Sequence, residues 1–249
     1  WGGRPRDWAE LAEPQNVPLF AAVLDRVGTG ALLDAGCGSG LAAQMAAERG
    51  ASVSGLDATE ALLAIAGERV PDGDFRAGAL EELPWDDGSF DAVVGFNSFQ
   101  FAADPVAALR AAARVVRVGG LVAATTFAEP ERCESTALHL AMKALMPPEV
   151  ASGYVPYALS APGGLEELLA AAGLEPVEAG EVPVTWGHGD AETTIRSLLC
   201  SAGGARTMAV AGEAAVRAAL ADAIVPFTQD DGSISMDNIF RFAIGRRSA

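Results

Sequence analysis

The run "ALLDAGCGSGLAAQMAAERG", residues 31–50, limits the fold more than any other stretch of the chain. Its apolar opening, 31–35, reads as a buried strand. Gly36, Gly38 and Gly40 follow, and 41–49 reads as a helix stopped by Gly50. A strand that passes to a helix through glycines presents backbone to whatever lies above it. The helix start predicts free N–H groups and a partial positive charge, suited to an anionic group such as a carboxylate.

The rest of the first half repeats the pattern. Helices are expected at 17–27 (Pro18 in the first turn), 59–70 and from Pro105, where Asp104 caps an apolar stripe of Val106, Leu109, Ala113 and Val116. Strands are expected at 51–56, 74–77, 90–96 and 121–127, the last entered through a Gly119–Gly120 turn. Strands alternating with helices predict parallel units with right-handed crossovers. The second half is less regular. A helix is expected at 135–145, another at 163–173, a strand at 174–186, two helices in 190–225 and a closing strand at 238–247. One domain with insertions is expected over 1–249.

Lys and Arg number 17 against 33 Asp and Glu, a net charge of −16. With no basic run, nucleic acid and anionic membrane surfaces are not expected as partners. Cys37, Cys133 and Cys200 lie far apart and match no metal spacing or disulfide framework. Reduced thiols and a cytoplasmic location are expected, with no membrane helix. No leader is expected at the opening Trp1, and loss of some N-terminal residues is the expectation.

The spacing Gly36, Gly38, Gly40 departs from G-x-G-x-x-G, whose third glycine falls on Leu41. A nicotinamide oxidoreductase is therefore the weaker reading. Asp57 ends the second expected strand, where an acid can accept both hydroxyls of a ribose, or cap a loop.

These residues carry a resemblance. "LLDAGCGSG", "VSGLDAT", "GALEELPWDDGSFDAV" and "RVVRVGGLVAATTF" stand in the order and spacing of class I S-adenosyl-L-methionine (SAM) dependent methyltransferases. The subgroup resembled is the small-molecule type of ubiquinone and menaquinone biosynthesis, over about residues 28–128. The resemblance implies an α/β, Rossmann-like seven-stranded sheet of order 3-2-1-4-5-7-6. Its last strand is antiparallel, and helices cover both faces. It implies an N-terminal lid (about 1–27), a cofactor-binding core (about 28–128) and helical acceptor-side insertions (about 129–161 and 190–228).

The resemblance implies that Gly36, Cys37, Gly38 and Gly40 back the amino-acid end of SAM, with Asp34 near its ammonium. Asp57 would hold the ribose, Ala58 the adenine, and Asn97 the methionine end. Trp1 and Trp8 would cover the site. The family commonly has Asp at the position of Ala79, accepting from the adenine amino group. Here the backbone of Ala79 and Leu80, apolar contacts or a substitute polar group must serve.

Methyl transfer to a small organic acceptor follows, O-methylation ahead of C- and N-methylation, in the manner of secondary metabolism, with S-adenosyl-L-homocysteine (SAH) as product. Gln100 is a candidate to orient the acceptor. His139 and His188 are candidate bases. Met142, Met146, Tyr154, Tyr157, Leu198 and Leu199 would suit an apolar acceptor or an ordinary core. A SAM-binding scaffold, sensor or non-methylating enzyme is the alternative.

Overall fold

The computed structural model describes residues 2–153 and 156–249; Trp1 and Tyr154 lie outside them. A short helix α1 (Pro5–Asp7) leads through a π turn (Trp8–Ala12) and a 3-10 turn (Glu13–Asn16) into α2 (Val17–Val27). The alternation follows as β1 (Ala31–Ala35), α3 (Leu41–Glu48), β2 (Ser52–Asp57), α4 (Glu60–Arg69), β3 (Asp74–Ala77), β4 (Phe90–Gly95), α5 (Pro105–Val115) and β5 (Val116–Phe127). Then come α6 (Thr136–Ala144), α7 (Pro148–Ala151), α8 (Gly164–Ala171), β6 (Leu174–Trp186), α9 (Ala191–Leu199), α10 (Ala202–Ala211), α11 (Glu213–Ile224) and β7 (Met236–Arg247).

The strands form one sheet of order β3-β2-β1-β4-β5-β7-β6. β7 runs antiparallel to β5 and β6, and the other pairings are parallel. This is the order the motif resemblance implies. Neighbouring side chains of β1 point to opposite faces. Leu32 joins a core with α2 and α3, while Leu33 joins one with α5 and α8. A third core ties α6 to α9 and α11 through Leu138, Met142, Ile195 and Leu220. Chain order reverses between β1 and β4, which opens a crevice above their carboxyl ends.

Local expectations needed correction in three places. Asp104 caps α5 through Val106 N and Ala107 N, as expected, but the buried face is Ala108, Leu109, Ala111, Ala112 and Val115. Val106 and Ala113 are only half-buried, because β4 and α8 meet the helix about one position away from the expected stripe. Gly119 and Gly120 lie within β5 and do not precede it; pairing with β4 begins at Val116 and shifts register between Phe90 and Ala92. Residues 190–225 hold three helices where two were expected. Ser201 separates α9 from α10 by accepting from Gly204 N.

Candidate functional site

The glycine loop follows β1 and turns over the end of β2, where Gly36 N and Cys37 N both donate to the Leu56 carbonyl at 2.7 and 2.9 Å. Gly36 has φ +84°, and a Cβ there would overlap Ser98, whose hydroxyl donates to the Ala35 carbonyl at 2.6 Å. Gly38 has φ +54°, and a Cβ would lie 3.2 Å from both Glu13 Oε1 and Trp8 Nε1. Gly40 answers to packing: a Cβ would come 2.7 Å from Ala66 of α4. Gly36 and Gly38 face the ligand side; Gly40 lies outside the cavity lining and sets the contact between α3 and α4.

The N–H groups just ahead of α3 are partly taken up from within the chain. Glu13, from the N-terminal segment, accepts from Ser39 N at 3.1 Å and from the Ser39 hydroxyl. Its partner Arg69 forms an ion pair with it and donates to the carbonyls of Ser39 and Ala9. Burial raises the Glu13 carboxyl above its usual range, against the lowering effects of Ser39 and Arg69. Glu13 thus puts an internal carboxylate beside the glycine loop and latches the N-terminal segment to it. Sequence reasoning missed it; the one signal was an acid within "LAEP" of an otherwise apolar turn.

Asp57, at the end of β2, accepts from Gly38 N at 3.0 Å and from Thr59 N at 2.8 Å, one oxygen to each. A carboxylate has about four acceptor sites, so two remain for a ligand. Asp34 is 1% exposed and its Oδ1 has no partner among the described residues. Burial first, then the charges of Glu13 and Asp57, raise its carboxyl well above the usual range. A lone carboxyl in a strand built of core residues is costly unless a partner arrives.

A cavity of about 510 Å³ joins these groups to the far side of the crevice. Asp34, Gly36, Cys37, Gly38, Asp57, Ala58, Ala79, Leu80, Asn97 and Trp8 line it, and so do Gln100 and His139. Burial holds the Cys37 thiol well above its ordinary pKa, in protonated form. Asn97 leaves β4 with φ +51°, a left-handed conformation that Asn tolerates better than most residues, and its N–H donates to Thr125 Oγ1 at 3.0 Å. Glu81 lines the cavity beside Ala79 and Leu80 and accepts from Asp104 N at 3.1 Å.

The opposite wall is apolar. Phe127, at the end of β5, is the hub of an aromatic group, with ring centroids 5.7 Å from His139, 5.2 Å from Tyr157 and 5.5 Å from Trp186. Leu138 and Met142 of α6 and Leu198 of α9 extend it. Met146 and Leu199 instead pack within the helical core. Burial pushes the His139 imidazole down to about 4. Phe127 and Trp186 were not singled out in the sequence; each ends a strand, where no local signal marks a cavity. His188 does not reach this cavity. It is half-buried in the loop after β6, its carbonyl accepting from Ile234 N and its ring set toward the Leu11 backbone.

Residues 33–124 match the methyltransferase domain family. The chain is 34% identical over 121 residues to a ubiquinone biosynthesis O-methyltransferase of Xanthomonas oryzae, covering 47% of this chain and 50% of that protein. It is 39% identical over 100 residues to one of Alkalilimnicola ehrlichii, covering 38% and 40%. The chain spans half or less of the length of these curated relatives. Among solved structures, the [4+2]-cyclase SpnF superposes with a TM-score of 0.58 at 23% identity, covering 93% of this chain and 81% of that one. The YcgJ protein of Bacillus subtilis gives 0.59 at 18% identity, covering 92% and 98%. These two share the fold. Over residues 33–124 the chain is similar to SAM-dependent methyltransferases, and its sheet order is the one its motifs imply. SAM is the cofactor of that class, and the orphaned Asp34 carboxyl and the Cβ-free cradle of the loop fit it.

Proposed function

We propose that the chain binds SAM in this cavity and transfers its methyl group to a small organic acceptor, oxygen being favoured over carbon or nitrogen, with release of SAH. The observation that carries the proposal is Asp34, a buried carboxyl with an unpartnered oxygen lining the same cavity as Asp57. Two acids at the ends of adjacent strands suit a ligand with an ammonium at one end and a ribose beyond it.

When bound, SAM supplies a methyl group activated on a sulfonium. Asp34 would hold the ammonium and the free lone pairs of Asp57 the ribose hydroxyls. Gly36, Cys37 and Gly38 would back the amino-acid end, Ala58, Ala79 and Leu80 the adenine, and Asn97 the methionine end. Trp8 would cover them, held down by the Glu13 latch. The apolar wall would exclude water and align the acceptor, which is most of what this transfer asks of a protein. His139 is neutral at pH 7 and would accept a hydrogen bond from the acceptor hydroxyl. With a pKa of about 4 it takes a proton only from an acidic hydroxyl.

The similarity to ubiquinone biosynthesis O-methyltransferases supports oxygen as the methylated atom. The acidic surface supports a small molecule and not a nucleic acid. Three buried free thiols support a cytosolic location, and a place in secondary metabolism belongs to the same reading. Among the described residues no helix is long and apolar enough to cross a membrane.

SAM binding without methyl transfer is the second reading, favoured by Ala79 standing where an adenine-binding Asp is common. Incubation with methyl-labelled SAM and a panel of phenols, catechols and hydroxyquinones separates the two. Label in an acceptor, lost in Asp34→Asn, supports transfer. Tight SAM binding with no label in any acceptor supports the second reading.

A further inference from the structure

Every charged side chain that lines the cavity is an acid. Glu13, Asp34, Asp57 and Glu81 all lie on the glycine-loop, β2 and β3 side, and no Lys or Arg lines it among the described residues. An anion placed at the far end would be desolvated beside aromatic rings with no side-chain cation to meet it, in a field the protein makes negative. A cation would find no carboxylate among Phe127, His139 and Trp186 of the apolar wall.

In the 3-10 turn Phe99–Phe101 that follows β4, Gln100 is 7% exposed, and neither its amide nitrogen nor its amide oxygen has a partner among the described residues. Ordinary core packing does not explain a whole primary amide left unsatisfied on a cavity wall. Its oxygen accepts and its nitrogen donates, side by side in one plane. The complementary ligand group offers a donor and an acceptor side by side: a carboxamide, a lactam, or a hydroxyl next to a carbonyl.

We propose that the acceptor is an uncharged molecule with an aromatic or other apolar body, that it pairs such a group with the amide of Gln100, and that the cavity rejects anionic acceptors. This rests on the reading of the other end as a SAM site. Gln100 acts here as a specificity-determining residue through direct contact with the acceptor.

The test uses two isosteric probes, 2-naphthamide and 2-naphthoate, titrated by calorimetry into the full chain saturated with SAH. The amide is expected to bind saturably and the carboxylate at least about tenfold more weakly. Gln100→Met, which keeps shape and loses both polar atoms, is expected to weaken the amide about tenfold and leave SAH affinity unchanged. Gln100→Leu, checked for native circular dichroism, serves if the first variant is unstable. Equal or tighter binding of the carboxylate, no saturable binding of the amide, or an unchanged amide affinity in the variant overturns the proposal. So does a loss of SAH affinity in the variant, which would make Gln100 a cofactor contact. Absence of SAH binding to the unsubstituted chain, measured first, would overturn the SAM reading itself.

Discussion

The carboxylate of Asp57 accepts the backbone N–H of Gly38 at 3.0 Å, tying the end of β2 to the middle of the glycine loop. Its other oxygen accepts from Thr59 N, at the start of α4. Asp57 therefore shapes the cradle and faces the cavity at once. Asp57→Asn keeps one acceptor oxygen and loses the charge. It is expected to weaken SAM binding by about 2 kcal/mol, roughly thirtyfold, the size of a lost hydrogen bond to an ionised group. Calorimetry on the variant checks this; unchanged affinity would remove Asp57 from the ribose site.

Gly36→Ala puts a methyl group into Ser98 at a backbone angle that disfavours side chains. Strain of about 1–2 kcal/mol plus the overlap is expected to lower the thermal midpoint by several degrees and abolish SAM binding. A variant as stable as the parent would show that the loop has room to yield.

Breaking the buried pair at Glu13 leaves Arg69 beside the loop without its counter-charge. Glu13→Ala is expected to cost about 3 kcal/mol in urea unfolding. The double change with Arg69→Met should recover part of that loss, giving a coupling of about 1–3 kcal/mol. Additive effects would mean that the pair does not act as a latch.

Two buried groups set opposite slopes in stability against pH. Asp34 has its folded pKa raised well above the ordinary 3.8, chiefly by burial. Through the window above 3.8 the native state binds more protons than the unfolded one, so its contribution falls as pH rises. His139 is lowered from 6.5 to about 4, again by burial. Its contribution is full above 6.5 and is lost as pH falls toward 4, on the order of 3 kcal/mol in all. Asp34→Asn should stabilise the ligand-free protein at pH 7 and steepen the acid limb. His139→Asn should flatten that limb. Denaturation midpoints from pH 4 to 8 test both signs.

The sheet could be read from the chain because β1, β2, β4 and β5 are apolar runs between helices with clear caps and stops, such as Asp104 and Gly50. The division of 190–225 was harder, since Gly203 and Gly204 sit inside α10 and hide a helix whose cap is Ser201. In the site, residues within the motifs came together as a group: Asp34, Gly36, Gly38, Asp57 and Asn97 all line one cavity. What could not be read depended on distant segments. Glu13 meets Ser39 only after the N-terminal turn folds over the loop, and Phe127 meets His139 only when α6 returns across β5. His188, equal to His139 in the sequence, lies outside that cavity.

The measurement that tests the central claim most directly is parallel calorimetric titration of the full chain with SAM, SAH and NADH. The account predicts saturable micromolar binding of the two sulfur nucleosides, lost in Gly36→Ala and weakened in Asp57→Asn, with no heat from NADH. Binding of NADH, or no binding of SAM and SAH to a folded chain, would contradict it.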